Sequence, residues 1–161
     1  MSFNQQLSHF DQHGQAHMVN IGEKKLTKRS AIAEGSIFLS EAAFACILDG
    51  NNKKGDVLGI ARIAAIQASK QTSFLIPLCH PISLTHVSVA FKLFPNEHRI
   101  IIQVTTESVG QTGVEMEALC ATNIGLLTIY DMLKAIDKEM KISNIQLIYK
   151  TGGRSGEWSK K

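Results

Sequence analysis

The stretch from Gly113 to Lys134, GVEMEALCATNIGLLTIYDMLK, constrains the fold more than any other part of this chain. It has helical spacing and no proline, and from Ala118 to Tyr130 it carries no charged residue. A helix that is apolar all round has to be buried on every side. Its charges gather at the two ends, Glu115 and Glu117 at the start, Asp131 and Lys134 at the finish. Ionisable groups at the ends of a buried helix are costly unless they are paired or put to use. A chain of 161 residues has little material to enclose a whole helix, so a partner subunit is expected to complete its burial.

Helical geometry sharpens this. At about 100° per residue, Asp131 and Lys134 lie about 60° apart, share a face and can interact. Glu117 and Asp131 differ by only about 40° in azimuth but by about 21 Å along the axis. They cannot form a carboxylate dyad within one chain. Either one end alone is chemical, or a site combines ends from different subunits. The plainer alternative is an Asp–Lys surface pair plus acids favoured at a helix N-terminus.

The length suits a single domain over residues 1–161. A hydrophobic content of 44% supports a real core and argues against disorder. The formal charge of +3 is compatible with an anionic small molecule. No basic block is interleaved with aromatics, which disfavours nucleic acid. Cys46, Cys79 and Cys120 are widely spaced and odd in number, so they read as reduced thiols of a cytoplasmic protein, with no metal site. The polar start lacks the apolar run of a signal peptide, and no uncharged run reaches membrane length.

Along the chain, residues 1–26 read as a loosely structured segment. Thr27–Leu39 reads as a strand. Ser40 caps a helix over EAAFACIL, and Asp56 caps a second over VLGIARIAAIQASK. FLIPLCHPIS is a proline-punctuated connection. Leu84–Phe94 and RIIIQVTTESV form a hairpin, the long helix follows, and Ile142–Lys150 is the last strand before a glycine-rich tail at 151–161. The order predicts an α+β fold, the ferredoxin-like β-α-β-β-α-β pattern with one extra helix, its antiparallel sheet covered by helices on one face.

Several segments carry chemistry. Lys53-Lys54-Gly55-Asp56 precedes a helix N-terminus, where backbone N–H groups and a lysine can hold phosphate; a solvated turn is the plain alternative. Cys79-His80-Pro81 sets a thiol and an imidazole beside prolines, or else holds a structural histidine. Gly152-Gly153-Arg154-Ser155-Gly156 can form an anion nest with an arginine, or a floppy tail. Arg29 and Lys24 are further cations. Together these loops point to a polyanionic small molecule undergoing acid–base chemistry.

KKGDVLGIARIAAIQASKQT, LIPLCHP, QTGVEMEAL, LTIYDMLKA and TGGRSGEW occur in this order. Read together, from about His17 to Trp158, they resemble the cyclic pyranopterin monophosphate synthases, the MoaC-type enzymes of molybdenum cofactor biosynthesis. The resemblance implies a lyase that converts 3′,8-cyclo-7,8-dihydroguanosine 5′-triphosphate into cyclic pyranopterin monophosphate and diphosphate. It implies a homohexamer, a trimer of dimers, with sites at a subunit interface. It also implies no cofactor, although a divalent cation can accompany the triphosphate. By resemblance Asp131, Lys134 and Lys54 are catalytic. Leu78, Cys79, His80, Met116, Glu117, Glu115, Arg29 and Arg154 are at the substrate. The two lysines are expected to carry proton transfers with Asp131 orienting or deprotonating one of them, and Lys54 can come from a neighbouring subunit. The chain departs from the usual pattern at Asn20 (usually Asp), Arg154 (usually Lys), Trp158 (usually Phe), and at Asn123 and Gly125, a pair suggestive of different subunit packing. A nucleotide-binding oligomer without turnover, or a purely structural oligomer, are the competing readings.

Overall fold

The computed structural model describes residues 9–49, 55–154 and 156–161; Lys54 and Ser155 lie outside them. Strand β1 (Thr27–Phe38) is followed by helices α1 (Glu41–Leu48), α2 (Val57–Lys70) and the single turn α3 (Thr72–Leu75). Strands β2 (Leu84–Phe94) and β3 (Arg99–Gly110) form a hairpin around a 3₁₀ turn at Pro95–Glu97. Helix α4 (Glu115–Leu133), β4 (Lys141–Thr151) and a two-residue β5 (Trp158–Ser159) complete the order.

The sheet runs β2-β3-β1-β4-β5, with every neighbouring pair antiparallel. Two split β-α-β units are interleaved, so the architecture is the expected α+β, ferredoxin-like one. Beyond the expected elements are α3 and β5. The short β5 pairs Tyr149 with Ser159 and Lys150 with Trp158, and so clasps the glycine-rich segment back onto the sheet.

Alternation along the central strands sets the core. Ala31, Ala33 and Ile37 of β1 and Ile100, Ile102 and Val104 of β3 are fully buried beneath α2 and α4. Gly35 has no Cβ because one would come within 2.7 Å of Leu126 and 2.9 Å of Ile145. The caps hold as read: the Ser40 hydroxyl accepts from Ala43 N–H, and the Asp56 carboxylate accepts from Gly59 N–H. Asp137 adds a stitch, accepting from the Ser40 N–H at 2.7 Å and the Glu139 N–H at 2.9 Å. These bonds favour its ionised form and hold its carboxyl below the ordinary range.

Within this one chain helix α4 is not buried on every side. Leu126, Ile129 and Leu133 are fully buried within this one chain, while Met116, Asn123 and Leu127 face outward. The chain therefore encloses most of the helix, and the uncharged run leaves only a stripe uncovered. Gly125 is also an internal matter. A Cβ there would lie 2.4 Å from Ile102 and 3.3 Å from Ala65, so glycine lets α2 and α4 approach closely. Asn123 points outward and bonds the Leu119 carbonyl at 2.9 Å.

Candidate active site

The start of β1, the β3–α4 connection and the end of β4 meet at one end of the sheet, around a cavity of about 550 Å³. Arg29 from β1, Lys150 from β4, Arg154 from the glycine loop, and Lys24 and Lys25 from the N-terminal segment line it. Against these five cations stand two carboxylates, Glu23 and Glu115. The volume suits a nucleotide-sized ligand. The surplus of positive charge, in walls of low dielectric, focuses a field that attracts an anion.

Arg29 is buried at 8% exposure, with its Nε 3.3 Å from the Gly110 carbonyl. Among the described residues it forms no ion pair. A buried guanidinium without a counter-charge is costly, and a bound anion would relieve that cost. The glycines at 152 and 153, at φ 103° and 72°, let the loop close directly over this arginine. A Cβ at Gly152 would meet the Lys28 carbonyl at 2.2 Å, and the space a Gly153 Cβ would fill is taken by the Arg29 guanidinium.

Lys150 escaped the sequence reading, and the reason is a bulge. Ala31 and Ala33 of β1 both face the helices, but their partners on β4 are Lys150 and Leu147, three residues apart. The extra residue turns Lys150, and not Tyr149, toward the cavity. Its ammonium meets the Glu115 carboxylate at 3.2 Å. No single-sequence pattern announces such a shift; a lysine two residues before a Gly-Gly pair was the only hint.

Glu117 begins a second cluster. It is 3% exposed, and its Oε2 has no hydrogen-bond partner. Burial pushes its carboxyl up to about 7, its own backbone N–H only partly offsets this, and the charge of Glu115 adds to the rise. The Cys79 thiol is likewise pushed up, by burial first and then by Glu117 and Cys120. A thiol so placed stays protonated and is a poor nucleophile. Because the folded chain holds the Glu117 proton more tightly than the unfolded chain, the associated stability is complete below the ordinary value of 4.5 and is lost as pH rises to about 7. Glu117→Gln should flatten this part of the Tm–pH profile between pH 5 and 8. At pH 8 it should gain on the order of 2 kcal/mol relative to the parent chain. An unchanged slope would show that the carboxyl ionises freely.

Asp131 and Lys134 stand at the other end of α4. Their 2.7 Å ion pair is exposed on both sides, so it adds little stability. The hydrogen bond from Lys134 to Asp131, followed by the carboxylate's charge, pushes the lysine up and makes it a proton-bearing group. Helices α2 and α4 run antiparallel: Gly125 lies against Ala61 and Ala65, while Cys120 lies beside Thr72 further along. The N-terminus of α2 therefore lies beside the C-terminus of α4. Gly55, which follows Lys54, leads into that N-terminus, so the chain enters α2 at the Asp131–Lys134 end. Of the remaining expected contacts, Leu78 is half-buried and Met116 lies on the outer stripe. His80 bonds the N-terminal segment, its Nε2 2.9 Å from the Val19 carbonyl. Among the described residues no group of three or more His, Cys, Asp or Glu is placed to hold a metal ion, and no helix is long and apolar enough to cross a membrane.

A ferredoxin-like subunit with a polycationic cavity at one end of its central helix and an Asp–Lys pair at the other belongs with enzymes that handle phosphorylated small molecules. The family comparison narrows this class. Residues 18–153 match the MoaC family, and the chain belongs to it. This is a biosynthetic enzyme family of molybdenum cofactor formation, acting on a small nucleotide-derived substrate.

Proposed function

We propose that the chain is a lyase converting 3′,8-cyclo-7,8-dihydroguanosine 5′-triphosphate into cyclic pyranopterin monophosphate with release of diphosphate. The observation that carries this reading is the buried Arg29, without an ion pair among the described residues, in a cavity lined also by Lys24, Lys150 and Arg154. Such a site suits the triphosphate. When a substrate hydroxyl attacks the α-phosphorus and the diphosphate leaves, charge grows on the leaving oxygens, and these cations stabilise it. The ring opening and closure need proton transfers, for which Lys134 enters as an acid held by Asp131, with Lys54 as its partner. A divalent cation can travel with the triphosphate.

The two groups of residues lie at opposite ends of a helix of nineteen residues, about 28 Å long. One substrate cannot span them within one chain. A complete site therefore takes the cavity of one subunit and the Asp131–Lys134 end of another, within a homohexamer. The exposed Leu127 of α4 and Ile60 and Ile63 of α2 supply apolar surface for such contacts. The direct test is incubation with the cyclic triphosphate and mass detection of products. Pterin product and diphosphate should appear in equal amounts. Tight binding with unchanged substrate would instead make the chain a nucleotide-binding module.

A further inference from the structure

We propose that residues 19–25 form a latched strap across the cavity, and that His80 is the positioning residue that latches it. This rests on the polyanion reading of the cavity. The strap is held at two points far apart in sequence. His80 Nε2 lies 2.9 Å from the Val19 carbonyl, and Gln111 Nε2 donates to the Gly22 carbonyl at 3.1 Å. A carbonyl can only accept, so His80 Nε2 carries the proton and spends it on the strap. Between these points the strap makes its own turn: Gly22 N–H donates to Asn20 Oδ1 at 2.9 Å, and Lys24 N–H donates to the Ile21 carbonyl at 3.0 Å. Asn20 thus supplies the same acceptor that an aspartate would.

What the strap carries gives the latch its purpose. Glu23, Lys24 and Lys25 line the cavity, and the strap then enters β1, which brings Arg29. The segment has no helix or strand of its own to hold these lysines in place. Without its two side-chain tethers, two of the five cavity cations would belong to a freely moving segment. The latch sits on one flanking loop, Leu78–His80, and the second tether on the other, at Gln111. A polyanion bound between the strap lysines and Arg29, Lys150 and Arg154 would draw the strap down onto both.

Trypsin reads the strap directly, because Lys24 and Lys25 are its cleavage points. The folded full chain would be digested briefly with and without inorganic triphosphate, and the fragments weighed. Triphosphate should slow cleavage after Lys24 and Lys25 about tenfold. His80→Ala should speed cleavage there and weaken triphosphate binding by up to about tenfold, the worth of one ordinary hydrogen bond. In turnover it should raise KM far more than it lowers kcat, since it removes binding shared by substrate and transition state. His80→Gln, which keeps an N–H donor, should restore most of both. Gln111→Ala should loosen the strap in the same assay and serves if His80→Ala fails to fold. A collapse of kcat with unchanged strap cleavage, or no rescue by glutamine, would overturn the latch. So would a strap cut equally fast with and without triphosphate. The digestion and binding readouts stand even if the chain turns over no cyclic triphosphate, so failure of the activity and failure of the strap are told apart.

Discussion

Mixing two inactive variants, Lys134→Ala and Arg29→Ala, is expected to restore about a quarter of the parent activity once subunits have exchanged. Each substitution alone should cost on the order of a hundredfold or more, one through the proton-bearing group and the other through the charge facing the triphosphate. The recovery follows from placing Arg29 and Lys134 at opposite ends of α4. In a mixed pair of subunits, one shared site collects both defects and the other collects none. Random pairing makes half of the pairs mixed, and half of their sites intact. The control is a mixture of Lys54→Ala with Lys134→Ala. This mixture tests the crossing of Lys54 expected from the sequence: recovery means that the Lys54 and Lys134 of one site come from different subunits, and inactivity means that they come from one. Recovery in the control mixture but not in the first would return the seam to Lys54. No recovery in either, with exchange verified by native mass measurement, would place every group of one site in one chain.

Neighbouring substitutions on α4 should part company completely. Leu126 is fully buried between α4 and the sheet, so Leu126→Asp puts an unpaired charge into the core and should cost at least about 4 kcal/mol, enough to unfold the chain. Leu127, one residue on, is 53% exposed on the outer stripe. Leu127→Asp should leave the protomer folded, with a Tm near that of the parent, but break its assembly and with it the shared site. Denaturation followed by circular dichroism reads the first effect, and sedimentation with activity reads the second. A folded, fully active single subunit carrying Leu127→Asp would dispose of the shared site.

How far the sequence was legible depends on the kind of signal. The hydrophobic alternation of Ala31, Ala33, Ile100, Ile102 and Val104 declares the two central strands, and Ser40 and Asp56 declare two helix starts. These are local patterns, and the structure follows them. The turn at Thr72–Leu75 and the pair Trp158–Ser159 are too short to have a period. The uncharged run of α4 is buried only in part within one chain: Leu126 and Ile129 are enclosed, while Leu127 and Asn123 are exposed on the stripe that a partner subunit is expected to cover. Of the candidate site, Arg29, Glu115 and Arg154 were nameable, but Lys150 and the grouping of these residues were not. Which side of β4 faces the cavity depends on a bulge, and the tie from His80 to Val19 joins residues 61 positions apart. Such facts belong to the packed chain and leave no periodicity behind.

The two-residue strand β5 changes what kind of object the glycine loop is. With Trp158 and Ser159 paired to β4, and Lys160 N–H bonded to the Ile148 carbonyl at 2.9 Å, the segment carrying Arg154 is tethered at both ends. Closing a loop of this length costs conformational entropy that grows only slowly with its size, and folding meets that cost in advance. An arginine on a dangling terminus would have to surrender its freedom at each binding event. Arg154 gives up much less, so more of its attraction for an anion remains as affinity. The two paired residues thus serve as the buckle that keeps a cavity arginine in place.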